Sequence, residues 1–480
     1  MSDIRKDFTW GLFWSAVEKY SGLIMGVVIS MILARLLSPS EYGIVAIASV
    51  MVSFFSMFST MGIGPAIIQR NDLTKENLDD IFTFSAILGM ALSLLFFGGA
   101  SLLSRAYGMG DLIPVCRILS ITLLFGSLNM VPNALMAKNK KFKQIAVRTF
   151  FLQFFSGVVS VFAAWYGAGV YALLISPIIT SIGIFLYNKH YFSVHFRRNF
   201  SIEPIRRIFS YSSYQFLFEL SNFFSRNLDK LIVGKSFSPD ALGFYEKSYR
   251  LMQMPLNNVT SVISPVLQPI LAQIQNDKKD IAKKNTKLIY CVSVISFPLG
   301  AYLYMSGAEV IKLMYGIKWV PAIKPFEILA LSIPLQLILS TSGSVFQASN
   351  ATKSLFKVGL KNSIKTIAAF VIGSCYFRTI DAVAWGWTIA SIANFVETYL
   401  EMYHKTFGVS FVKMIFKLTI PFMNFVCVIL GLHLISIFVC AENYVLSLML
   451  KTMLAGIITF VFIFFFSPFG EKIKKTICHG

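Results

Sequence analysis

Apolar residues in this chain come in long blocks, separated by short polar or turn-rich breaks. A helix needs about 20 predominantly apolar residues to cross the hydrocarbon core of a bilayer. The breaks define fourteen blocks of roughly that length, at 10–37, 41–68, 79–104, 111–137, 145–166, 169–188, 208–235, 239–272, 284–305, 321–348, 355–376, 382–403, 412–436 and 443–467. The longest predict tilted helices or helices that extend past the membrane surface. The first block is too long for the core of a signal peptide and lacks a small-residue cleavage site, so it reads as a retained first helix. The pattern predicts an all-α polytopic membrane protein with about 14 transmembrane helices.

Composition agrees. Hydrophobic residues make up 56% of the chain and charged residues 14%, against about 25% charged in a soluble domain. None of the six cysteines forms a CxxC pair, and most lie inside apolar blocks, which suits small buried residues better than a disulfide frame. The five histidines show no metal-ligand spacing. No Gly-rich nucleotide loop and no nucleophile–base pattern is present, so neither a cofactor nor an enzymatic reaction is expected.

The net charge of +20 has a topological cause. With the N-terminus inside, the inner segments include 138–148, 189–207, 277–287 and 471–475. About 29 of the 43 Lys and Arg residues then fall on inner segments or inner helix ends, and about 7 on outer ones. Both termini are therefore expected in the cytoplasm. A nucleic-acid partner would call for one basic patch with interleaved aromatics, whereas here the charge is spread over every second loop.

The chain also repeats itself. LARLLSPSEYGIVAIA (33–48) and VGKSFSPDALGFYEKS (233–248) share Ser-Pro and Gly at an offset of 200, each within a helix–short turn–helix pattern. Pro suits the first turn of the second helix, where its missing N–H costs little. An even number of blocks precedes the second copy, so both copies run the same way through the membrane, the parallel kind of repeat. Two pseudo-symmetric six-helix lobes are expected, at 1–188 and 208–403, joined by a cytoplasmic linker at 189–207. The last two helices and a cytoplasmic tail follow at 404–480.

The same residues carry a family resemblance. LARLLSPSEYG (33–43), GIGPAIIQR (62–70), the NKKF element (139–142) and NLDKLIVGKSFSPDALGFY (227–245) resemble the polysaccharide-exporter branch of the multidrug/oligosaccharidyl-lipid/polysaccharide exporter superfamily. Within that branch the chain is most similar to Wzx-type and teichuronic- or colanic-acid exporters, along essentially its whole length. The resemblance implies a two-lobed, MATE-like transporter with a central cavity. It implies the flipping of undecaprenyl-pyrophosphate-linked oligosaccharide between leaflets of a bacterial inner membrane, for O-antigen or exopolysaccharide synthesis. Polysaccharide polymerase or export proteins are implied as partners. Lys235 and Phe237 depart from the family pattern, which often has Gly and Leu there.

Charges inside the blocks are the candidate chemistry, because each costs about 2.5–3.5 kcal/mol on insertion scales and usually faces an interior or an aqueous space. Arg226 lies nine residues from the outer end of block 208–235, about 13 Å deep. Arg226, Asp229 and Lys230 share one helix face. Two readings stand side by side: a self-neutralising ion-pair cluster, with Asp229 as the partner of Arg226, or a cationic surface for pyrophosphate. The planar Arg fork can bind phosphate oxygens bidentately. Arg117 in the fourth block and Arg250 in the eighth are further cationic candidates, and Glu246 and Lys247 accompany Arg250. Glu18 and Glu219 correspond near the repeat offset and suit either proton or sodium coupling or plain helix–helix hydrogen bonding. Lys361 and Lys365 face the similarly spaced Glu397 and Glu401 in the next block, as ion pairs across a hairpin or as a gate.

The expected function is a lipid-linked oligosaccharide flippase working by alternating access. A multidrug or cation antiporter is the alternative, and the cationic cluster counts against it. A membrane glycosyltransferase or polymerase would need large outer loops with catalytic groups, and the longest outer loop here, near 306–320, holds Glu309 as its only acid.

Overall fold

The computed structural model describes residues 2–60, 63–438 and 443–466. For helical residues 2–9, 12, 60, 207–219, 221, 222, 225, 264, 265 and 438 it describes the backbone alone. The basic segment 471–475 and the side chain of Glu219 lie outside that description. The chain divides into two compact units, Met1–Gly243 and Phe244–Gly480. The first unit therefore takes in the seventh block, which the sequence repeat assigns to the second lobe.

The first unit contains α1 (Ser2–Leu36), α2 (Pro39–Thr60), α3 (Ile63–Gln69), α4 (Lys75–Tyr107), α5 (Leu112–Lys138), α6 (Phe142–Trp165), α7 (Val170–Tyr191) and α8 (Glu203–Ser236). α9 (Pro239–Ala272) begins in it and runs on into the second unit. Local chemistry sets the boundaries. Ser38 and Glu41 form a reciprocal capping box at the start of α2: Ser38 N–H donates to Glu41 Oε2 at 2.6 Å, and Glu41 N–H donates to Ser38 Oγ at 3.4 Å. The second motif copy keeps half of it, with Ala241 N–H donating to Ser238 Oγ at 3.3 Å. Thr74 caps α4 through Asn77 N–H, and Gly108, at φ 68°, ends that helix. The ammonium of Lys235 donates to the Ala106 carbonyl at the end of α4, so this departure from the family pattern supplies a cation to a helix C-terminus.

The two Ser-Pro copies meet. A Cβ on Gly43 would overlap the Pro239 carbonyl, and a Cβ on Gly243 would overlap the Pro39 carbonyl. The contact is reciprocal, as a pseudo-two-fold relation between the copies would require, and only glycine lets the two helix starts approach so closely.

The segment between α7 and α8 is held down. His195 N–H donates to Asp79 Oδ1 at 2.9 Å, and Arg197 N–H donates to Thr83 Oγ1 at 3.0 Å. The Arg197 guanidinium lies 3.3 Å from the buried Asp80 and 3.5 Å from Glu76. Val194 joins Ile67, Phe82, Val131 and Phe185 in one apolar core. The expected linker is thus bound to the first turns of α4.

The second unit continues through α10 (Lys278–Met305), α11 (Gly307–Tyr315), a 3-10 turn (Ile317–Ala322), α12 (Ile323–Ala330), α13 (Ile333–Leu339), α14 (Ser342–Ala348), α15 (Thr352–Val371), α16 (Ile380–Leu400), α17 (Phe411–Phe438) and α18 (Tyr444–Phe466). Wide π-helical turns extend α15 over Ile372–Phe377 and α16 over Glu401–Phe407. Block 321–348, expected as one helix, is broken and bends by 51° between its halves. Pro321, Pro325 and Pro334 each remove a backbone donor there. By contrast, α9 stays helical through Pro255, Pro265 and Pro269. Block 41–68 lies in one 31-residue candidate span, Pro39–Gln69, described on either side of residues 61–62 as α2 and α3.

Each expected block is helical over most of its described length, although α1 and α10 start well before theirs, and the tenth block is the broken one. Among the described residues, nine helices are long and apolar enough to cross a membrane, or ten if the bent pair counts as one span. Cys116, Cys291, Cys375 and Cys427 are free thiols.

The close approach at the Ser-Pro motifs gives a test. In an open helical site, Gly to Ala should stabilise by up to about 1 kcal/mol. At Gly43 or Gly243 the new methyl meets backbone, so a loss of about 1–3 kcal/mol is expected. Thermal unfolding of the detergent-solubilised protein checks this, with Gly98→Ala, which meets open space, as the control. The double variant should lose less than the sum of the singles, because both break one contact.

Candidate functional site

The candidate charges sort by sign. Arg117, Arg226 and Arg250 are exposed, whereas Glu18 and Glu246 are half-buried and Asp229 is 1% exposed. Lys230 is half-buried, and it and Asp229 are both engaged in contacts. One helical turn of α8 therefore turns its carboxylate inward and its guanidinium outward.

Arg226 follows an aromatic pair along α8. Phe223, three residues earlier on α8, packs against Phe54 of α2 at 5.5 Å between centroids, and Phe224 lies 6.1 Å from Phe54. Phe55 reaches Phe96 of α4 at 5.3 Å. Arg117, on α5, lies 5.0 Å over the Phe97 ring of α4. The placement of Arg117 satisfies the apolar flank of its guanidinium and leaves its N–H donors available for an anion.

Glu18 has a structural anchor. Its Oε1 accepts from Thr149 Oγ1 at 3.2 Å, and the charge of Arg148 is near enough to attract it. Arg148 belongs to α6, although its sequence neighbourhood reads as a basic inner loop. It is 5% exposed and donates to Asn188 Oδ1 and, at 3.4 Å, to Asn133 Oδ1. Asn188 donates in turn to Asn129 Oδ1 at 2.8 Å. Four helices thus share one buried polar network. Sequence reasoning missed it because Arg148 follows four lysines in the 138–143 stretch; the signal was the spacing of Asn129, Asn133 and Asn188 inside apolar blocks.

In the second unit Lys247 is buried, with its ammonium 4.6 Å over the Tyr315 ring and 5.6 Å over the Trp319 ring. Ser248 Oγ donates to the Ala322 carbonyl at 2.7 Å. Together these dock α9 onto the α11 region, a structural use of Lys247. Glu397 lies between Lys361 at 3.0 Å and Lys365 at 2.5 Å, while Glu401 pairs with Lys405 at 2.7 Å. The hairpin ion pairs therefore form through Glu397, and Glu401 turns to its own helix end.

A second missed pair joins α11 to α18. Lys451, inside the apolar run of α18, lies 2.5 Å from Glu309 Oε1 and donates to the Met305 carbonyl at 2.8 Å. Ser447 Oγ donates to the same carboxylate at 2.9 Å. Burial acts to raise the Glu309 carboxyl, but the hydrogen bonds and charge of Lys451 outweigh it and hold the group below its ordinary range. A single Lys in a run of otherwise apolar residues was the available signal. Among the described residues, no group of three or more His, Cys, Asp or Glu side chains could hold a metal ion.

Comparisons with known proteins are consistent with one another. A family model described as polysaccharide biosynthesis protein matches residues 32–324. The chain is 23% identical to the teichuronic acid biosynthesis protein TuaB of Bacillus subtilis (strain 168), over 82% of each chain. It is 24% identical to the lipopolysaccharide biosynthesis protein WzxC of Escherichia coli (strain K12), over 94% of this chain and 90% of that one. Among solved structures, the lipid II flippase MurJ in an inward closed conformation superposes with a TM-score of 0.74 at 16% identity, covering 94% of this chain and 98% of that one. An inward-facing multidrug resistance MATE family transporter gives 0.62 at 14% identity, covering 79% and 94%. The structural likenesses establish the fold.

The Glu309–Lys451 pair should behave as a buried ion pair. Removing one partner, as in Lys451→Met, is expected to cost about 3–5 kcal/mol, and Glu309→Gln with Lys451→Met together distinctly less than the two losses summed. Because folding lowers the Glu309 pKa, its contribution is present above the ordinary carboxylate value near pH ~4.3 and fades as pH falls through the lower folded value. Unfolding midpoints between pH 3 and 7 should drop on acidification in the wild type, and drop less in the double variant.

Proposed function

The chain belongs to the polysaccharide biosynthesis protein family, and on that footing we propose that it is a flippase for lipid-linked oligosaccharide. It is a multi-pass membrane protein with the fold shared by MurJ and MATE transporters. Its substrate, in this reading, is an undecaprenyl-pyrophosphate-linked oligosaccharide, carried from the inner to the outer leaflet of the bacterial inner membrane by alternating access. Both termini lie in the cytoplasm, as the distribution of Lys and Arg supports.

The observation that carries the reading is the exposed Arg226 on α8, in a block long enough to span the membrane and preceded by Phe223 and Phe224. A guanidinium near mid-membrane is too costly to face lipid, so it favours an aqueous path. In that path it offsets the desolvation of a pyrophosphate, which a cation-drug antiporter would not need. Arg117 and Lys230 of the first unit, and Arg250 of the second taken by itself, are the further cations this reading assigns to the headgroup. Glu18, Glu219, Asp229 and Glu246 serve as ion-pair partners or as carriers of a coupling proton or sodium ion. The Thr149 and Arg148 contacts of Glu18 support the structural role for that residue. Polymerase or export proteins would receive the flipped glycan.

The test is on cells lacking the gene, complemented with wild type, Arg226→Ala or Arg226→Lys. Loss of one charge-assisted hydrogen bond, worth about 1.5–3 kcal/mol, should reduce glycan export by about 10- to 100-fold at unchanged membrane abundance, with Arg226→Lys intermediate. The lipid-linked glycan should accumulate on the inner leaflet. Full export by Arg226→Ala would remove that residue from the mechanism, and unchanged glycan sidedness in the deletion would remove the flippase reading.

A further inference from the structure

A cleft of 840 Å³ opens in the second unit between the starts of α10 and α17, walled by the π-turn that ends α16. Five lysines line it: Lys279, Lys283 and Lys287 on α10, and Lys413 and Lys417 on α17. Those on α10 recur every four residues, so they form one stripe facing the cleft. All five are exposed, and none forms an ion pair with a described residue; the neighbouring pair, Lys284 with Asp280, leaves the cleft's lysines out. Like charges gathered in this way repel one another unless an anion lies between them.

The polarity of the cleft changes along its length. From Lys279 to Tyr290, α10 rises about 16 Å, and the lining passes from ammonium groups to Tyr290 and Cys291. On α17 it passes from Lys413 and Lys417 to Ile420, with Phe416, 72% exposed, between the two lysines. The back wall is fixed: the Thr286 and Tyr403 hydroxyls share a hydrogen bond of 2.7 Å, and the fully buried Asn285 donates to Tyr403 at 3.4 Å. A small soluble anion would use the mouth and leave the apolar depth wet. A molecule with a phosphate at one end and a hydrocarbon chain at the other would fill both.

We propose that this cleft is a binding site for an anionic phospholipid of the cytoplasmic leaflet, with its phosphate among the five lysines and one acyl chain along Phe416 and Ile420. The positive-inside distribution places this end of α10 and α17 at the leaflet where anionic lipids meet basic residues, each worth about 1 kcal/mol near such a surface. The site uses none of the residues assigned to oligosaccharide transport, so it stands or falls apart from that activity.

Native mass spectrometry of the full-length protein in detergent tests it, with phosphatidylglycerol titrated against phosphatidylcholine of the same chains. Phosphatidylglycerol should bind at least tenfold more tightly. Lys287→Gln should weaken it about fivefold, and Lys283→Gln/Lys287→Gln/Lys413→Gln should bring it to the phosphatidylcholine level. Lys353→Gln/Lys357→Gln, exposed lysines on α15 outside the cleft, should change nothing. Phe416→Ser should weaken both lipids, and this variant decides the matter if the triple variant does not fold. Equal binding of the two lipids, wild-type binding by the triple variant, or no effect of Phe416→Ser would overturn the proposal. Displacement of phosphatidylglycerol by inorganic pyrophosphate at comparable concentration would also overturn it, in favour of a plain anion site.

Discussion

Hydrocarbon offers no hydrogen bonds, so every polar group that enters it must be answered from within the protein. The helices answer for their own backbones. Buried hydroxyls do the same by folding back on the preceding turn, as Thr83 does to the Asp79 carbonyl and Ser85 to that of Ile81, each at 2.8 Å. Charges need more distant help, and the fold is organised around providing it. Arg148 is answered by asparagines on two neighbouring helices, Lys451 by Glu309 from the adjoining segment, and Lys247 by two aromatic faces. Against that background the exposed Arg226 of α8 is the charge on which the proposed function turns.

The ends of the helices are governed by the same constraint in a milder form. Where water is available, caps and turns suffice: Asp277 accepts from Asp280 N–H at the start of α10, and Thr379 accepts from Ala382 N–H before α16. Where a helix end comes close to another element, a lysine takes over. Lys138 reaches the Ile67 carbonyl at 3.0 Å in the last turn of α3, and Lys235 reaches Ala106 in the last turn of α4. The binding of the 192–200 segment onto α4 belongs here too, since Asp79 and Asp80 accept backbone and guanidinium donors that the core would otherwise leave exposed to it.

Much of this was legible in the chain. Apolar block length reports the bilayer's thickness, so the helical segments and most of their limits could be read directly, and the Ser-Pro turns announced two helix starts. The Lys361, Lys365 and Glu397 contact followed from i, i+4 spacing on two adjacent helices. What could not be read depends on facing, which a one-dimensional pattern does not record when a helix is apolar all round. Arg148 looked like one more loop cation, although its helix turns it into a polar pocket. Lys451 was lost in an apolar run, because its partner lies far away in sequence. The break in 317–348 shows another reason: it holds three prolines, as α9 does past its first residue, yet one helix bends and the other persists, so proline count alone does not decide.

The meeting of Gly43 with Pro239 and of Gly243 with Pro39 has a consequence for how this protein tolerates change. Two copies of a motif suggest redundancy, in which one can drift while the other holds. Here each copy is the surface against which the other closes, so neither can serve as the spare. A duplication that ordinarily widens the range of acceptable sequences instead doubles the number of positions at which a single added methyl group spoils the same joint.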